Sequence, residues 1–169
     1  MSLTSTLALA AFAEQTSTLD LGSAASPVRL QRSVQLASGT GAGQADLVFS
    51  DRRTISASGA EDLDLAGVLL DAFGATITFA RVKGLFISAS ANNANNVVVG
   101  ADATNPWATL LNAAGTVTLR PGASFAAVAG ATDSTAYAVT AGTGDLLQVA
   151  NSAGGTSVTY DVVVIGASA

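Results

Sequence analysis

The side chains with which this chain could do chemistry are few. Among 169 residues there are 12 acids and 7 bases, and no His or Cys. Without Cys there is no disulfide, no thiolate nucleophile and no Cys-based zinc or iron–sulfur site. Without His, a Ser-His-Asp triad, an imidazole ligand and a neutral-pH proton shuttle are excluded. Carboxylates, Tyr, Arg and the single Lys83 remain.

Three groupings of those residues bear on function. Glu61, Asp62 and Asp64 could cluster oxygens around a cation. Calcium takes about six to eight oxygens, however, and the EF-hand spacing is missing, so helix N-terminal acids account for the cluster more simply. Gly39-Thr40-Gly41-Ala42-Gly43 approximates a phosphate loop, but Gln44 stands at the third-glycine position and no Lys-Ser/Thr follows. A wide turn is expected there. A carboxylate-pair hydrolase has the weakest support, because sequence spacing cannot supply the required geometry. The expectation is a non-enzymatic protein with no cofactor, no metal and no catalytic residue.

The candidate interaction residues are Arg29, Arg32 and Trp107. Arg29 and Arg32 have spacing suited to one side of an extended segment or helical turn. Their functional reading is an arm docking on an acidic protein surface, weighed evenly against a solvated edge that discourages strand pairing. Trp107, with Tyr137 and Tyr160, is a sparse candidate for stacking on a sugar, and packing is the better expectation.

Charge narrows the partners. The net charge is −5 and the pI near 4.3, which opposes binding to nucleic acid. Residues 1–53 hold four bases and four acids, while residues 54–169 hold three bases and eight acids, so the two parts present different surfaces. No apolar run reaches the roughly 20 residues of a membrane-spanning helix. The start, MSLTSTLALAAFAEQ, has an apolar stretch and a small-x-small Ala11-Phe12-Ala13, but no early Lys or Arg, and is expected to be an arm or short helix.

The elements that must carry these residues are mostly strands. Ala, Thr, Ser and Gly fill 87 positions, leaving 48 larger apolar residues for one modest core. Residues 28–36 alternate apolar with polar, the period of a strand. Leu7, Ala10, Ala11 and Glu14 suit a turn or two of helix. Residues 62–73 place Leu65, Val68, Leu69, Ala72 and Phe73 on one helical face before Gly74, predicting a short helix. Residues 76–90 alternate as a strand, with either a bulge near 81–84 or both faces partly buried. Asn92–Asn96 marks a turn, and Arg120-Pro121-Gly122-Ala123 suits a type II turn. In the last strand Val158, Tyr160, Val162 and Val164 share a face. Short strands with turn residues every 8–12 positions predict an all-β, β-sandwich or jelly-roll-like domain over 46–169, with one short helix and an extended N-terminal arm over 1–45 that docks on neighbours.

The order DLDLAGVLLDAFGATITFARVKGLFISASANNANNVVVGADA, TVTLRPGASFAAVA, AYAVTAGTGDLLQVANSAGG and TYDVVVIGAS resembles small β-rich structural proteins of tailed bacteriophages. The resemblance covers roughly residues 45–169. It implies a virion component, foremost a capsid decoration or cement protein bound to the major capsid protein or another virion protein and self-associating; charge and the short apolar runs set the expectation of no nucleic-acid and no membrane partner. A tail or fibre-associated subunit and a carbohydrate-binding β-sandwich are the alternatives.

Overall fold

The computed structural model describes residues 2–169. Its elements run β1 (Ser5–Leu19), β2 (Gly22–Ser38), β3 (Gln44–Ala45), β4 (Leu47–Ile55), β5 (Ala60–Asp64), β6 (Arg81–Ala89), β7 (Val97–Gly100), α1 (Ala108–Leu111), β8 (Thr116–Leu119), β9 (Ser124–Val128), β10 (Tyr137–Ala138), β11 (Leu146–Asn151) and β12 (Val158–Ala167). The chain is all-β, and its body is a sandwich. One sheet runs β10-β6-β12-β4, with β9 also on β6; the other runs β5-β11-β7-β8.

Alternation builds the core. On β12, Val158, Tyr160, Val162 and Val164 are all buried, as are Leu85, Ile87 and Ala89 on the neighbouring β6. They meet Leu63, Val97, Val99, Leu119, Leu147 and Val149 from the opposite sheet. Successive strand residues point to opposite faces, so one apolar row per strand suffices to fill a sandwich. The register of β12 against β6 shifts between Ile165 and Gly166, opposite Gly84 and Val82, so the bulge falls inside the 81–84 window. At the other anticipated turn, Gly122 has φ +78° and the Ala123 N–H donates to the Arg120 carbonyl at 2.8 Å, as a type II turn requires.

Two helical expectations are overturned. Residues 62–73 contain no helix: β5 pairs with β11 from Ala60↔Ala150 to Asp64↔Leu146, and turns follow. Leu63 and Leu65 alternate inward beside β11, whose backbone supplies the hydrogen bonds a helix would otherwise make internally. The acids build turns: Asp64 accepts from the Ala66 N–H, and Asp71 accepts from Phe73 and Ala75. Val68, Leu70 and Phe73 are left exposed. Leu7, Ala10, Ala11 and Glu14 likewise lie in β1, where pairing with β2 satisfies the backbone. The helix of the body is α1, a single turn after Pro106-Trp107.

Candidate interaction surface

β1 and β2 form one antiparallel hairpin, registered from Ser5↔Leu36 to Leu19↔Gly22. At roughly 3.3 Å per residue each strand spans about 50 Å. Among the described residues the hairpin is docked only at its base. There Leu7 and Leu36 join Ala45 and Ile165 in a small cluster, with Val34, Val48, Phe86, Val128 and Val163 around it. This cluster lies on the face of the β6/β12 sheet that points away from the main core.

Glycine lets the docking be close. A Cβ on Gly84 would lie 2.9 Å from Leu7 Cδ1, so with any other residue there Leu7 would have to shift to stay on β6. The glycine-rich loop at 39–43 connects the hairpin to the body and leads into β3, not into the helix that follows a phosphate loop. It is tied by its own chain: the Gly41 N–H donates to Gln44 Oε1 at 3.0 Å, and the Lys83 Nζ donates to the Gly41 carbonyl at 2.7 Å. Burial, with Arg81 nearby, lowers the Lys83 pKa from its ordinary value while Asp133 opposes the shift.

Beyond the base, every residue from 8 to 33 is exposed. The register sorts them into two unlike faces, because opposed residues share a side. One face carries Leu9, Ala11, Ala13 and Leu19 with Val28, Leu30 and Arg32, and continues the apolar surface of the base. The other carries Thr6, Phe12, Glu14, Thr16 and Thr18 with Arg29, Gln31, Ser33 and Gln35. Leu9, Leu19, Val28 and Leu30 are each at least 41% exposed, a large apolar commitment for a surface element. Near the base, Leu9 overhangs a groove of about 440 Å³ lined by Phe86, Phe125, Ala126 and Val163.

Arg29 and Arg32 therefore lie on the hairpin, but not on one side of it. Their offset of three residues sends Arg29 to the polar face opposite Phe12, and Arg32 to the apolar face opposite Leu9. The shared-side reading is corrected by strand alternation. Trp107 is in the body, 4% exposed, with Nε1 donating to the Ala138 carbonyl at 2.9 Å and its ring edge-to-face with Tyr137. Its role is packing: buried so, it offers no ring face to a sugar or a partner. Tyr160 is also buried and its hydroxyl donates to Glu61 Oε1 at 3.0 Å, while Arg53 holds the same carboxylate. Burial and the Glu61 charge push the Tyr160 pKa far up.

Among the described residues no three His, Cys, Asp or Glu side chains gather as a metal site, and no helix is long and apolar enough to cross a membrane. The hairpin's return was not legible because residues 16–27, TSTLDLGSAASP, are mostly small and polar and show little strand alternation. The signal available was the apolar parity of Leu7, Leu9, Ala11 and Ala13 mirrored in Val28, Leu30, Val34 and Leu36. No protein-family model, curated protein or solved structure matches the chain.

Proposed function

We propose that this protein is a non-enzymatic virion structural subunit, of the kind that decorates or cements a capsid, and that the hairpin is its joining element. The observation that carries this reading is the exposed, two-faced outer half of β1 and β2. A lone two-stranded ribbon is marginal in water, and apolar side chains on it gain stability only when something covers them. Such an element suits a protein whose work is contact. Interfaces of about 1,200–2,000 Å² hold specific complexes, and repetition over a shell adds avidity. The sequence resemblance supports placement in a phage virion, and the absence of His and Cys fits a role without chemistry.

The test keeps the body intact. Removing residues 10–31 and closing Leu9 to Arg32 with an Asn-Gly turn preserves Leu7, Val34 and Leu36 at the base. Expected is loss of binding to capsids lacking the protein, with the body's melting transition retained. Undiminished occupancy refutes the hairpin's role. Gold labelling of virions gives the placement: label on heads is expected, and label confined to tails refutes the capsid reading.

A further inference from the structure

We propose that the hairpin's first neighbour is the hairpin of a second copy of this chain, joined edge to edge with β1 of one copy antiparallel to β2 of the next. This rests on the reading of the hairpin as a joining element, not on where in a virion the protein sits.

The edges provide the first argument. Among the described residues β1 pairs with none but β2, and β2 only with β1 and the two-residue β3 at Ala37 and Ser38. Each hairpin thus exposes two different backbone edges, each over a dozen residues long. A foreign strand on one edge leaves the other open. Identical copies side by side use both, and a ring leaves none.

Charge selects which edges meet. Glu14 is the only charged residue of β1, whereas β2 carries Arg29 and Arg32 and no acid. Pairing β1 with β1 of another copy brings together two strands whose only charge is Glu14, and pairing β2 with β2 gathers four Arg. Only β1 against β2 puts opposite signs together, and with the hairpin's own register repeated between copies Glu14 lies diagonally from Arg29 of the next copy on the polar face, as it does within one hairpin. The same pairing keeps the two faces continuous. Because β1 and β2 already alternate in step, each added hairpin places Leu9, Val28 and Leu30 on the side where the bodies lie. Pro27 removes one N–H from β2 and leaves the rest of that edge free to pair.

The absence of native Cys makes the test direct. Full-length chains carrying Ala10→Cys or Gln31→Cys are oxidised separately and mixed. In head-to-tail pairing, identical positions on adjacent copies lie about two strand spacings apart, roughly 10 Å and beyond disulfide reach, while positions 10 and 31 of adjacent copies are neighbours. Expected is a covalent dimer in the mixture alone, with the wild type sedimenting as a multiple of 16.6 kDa. Arg29→Cys and Ser33→Cys in place of Gln31→Cys cover a register shifted by two. A dimer from Ala10→Cys alone overturns the proposal, as does a 16.6 kDa wild type or an oligomer that cross-links in no mixture. As a second measurement, Glu14→Arg and the pair Arg29→Glu with Arg32→Glu should each weaken assembly roughly 2- to 30-fold, and mixing the two chains should restore it. Failure to restore it also overturns the proposal. Both readouts use purified protein, so they fail independently of the capsid-binding and labelling results.

Discussion

The hairpin's attachment and the body's folding rest on separate apolar clusters, and Leu7→Ala should pull them apart. Leu7 is 2% exposed and packs with Leu36, Ala45 and Ile165, over the bare backbone of Gly84. Leu→Ala in a core costs about 2–5 kcal/mol. Only four residues of this cluster are buried and its rim is half open, so partial collapse is easy and the cost falls near the lower end, about 2–3 kcal/mol. That corresponds to a rise of roughly 30- to 150-fold in the population with the hairpin base undocked. Leu85 follows Gly84 on β6 but faces the main core, and Leu85→Ala provides the contrast. Hydrogen exchange of peptides covering β1, β2 and the 39–45 loop reads the docking, and a urea transition followed by Trp107 fluorescence reads the body. Leu7→Ala should accelerate exchange at the hairpin base while moving the urea midpoint far less than Leu85→Ala. Unchanged exchange at the base, or equal midpoint shifts for the two variants, refutes the separation.

The body offers three further tests. Burial would raise the pKa of Asp102, but the N–H groups of Thr104 and Asn105 and the Thr104 hydroxyl, at 2.7–2.9 Å, outweigh it and hold the pKa below the ordinary 3.8. A depressed folded pKa stabilises fully above about pH 4 and is lost as pH falls through it, so urea midpoints measured from pH 7 to pH 2.5 should drop less steeply in Asp102→Asn. Tyr160→Phe removes the hydrogen bond to Glu61 while Arg53 still holds that carboxylate, for a loss of about 1 kcal/mol in a urea titration at pH 7. Trp107, nearly enclosed, should emit at short wavelength and resist acrylamide quenching in the native protein, and Trp107→Phe should destabilise the body by about 1–3 kcal/mol in thermal melts.

What was legible in the sequence depended on how local the cause was. The row Val158, Tyr160, Val162, Val164 and the type II turn at 120–123 follow from spacing and turn chemistry within a few residues, and the broken alternation at 76–90 had a bulge near 81–84 as one of its two readings. The helix expected over 62–73 failed for a non-local reason. A face of Leu65, Val68 and Leu69 suits helical spacing as well as it suits a strand that ends in turns, and the choice was made by β11, more than 80 residues downstream. For Trp107 packing was the better expectation and burial bears it out, but what covers it was not legible, because the Ala138 carbonyl and the Tyr137 ring arrive from 30 residues away.

By itself, the sequence determined the chemistry this protein lacks and the class of its fold. Residue types exclude imidazole and thiolate chemistry whatever the conformation, and short alternating segments between turn residues admit little besides packed sheets. Tertiary structure alone decided that residues 5–38 fold back as one ribbon, that Arg29 and Arg32 face opposite ways, and that the ribbon is seated on Gly84 and left bare beyond it. Those outcomes turn on which strand pairs with which and in what register, and a shift of one residue between β1 and β2 would set the apolar row of one strand beside the polar row of the other.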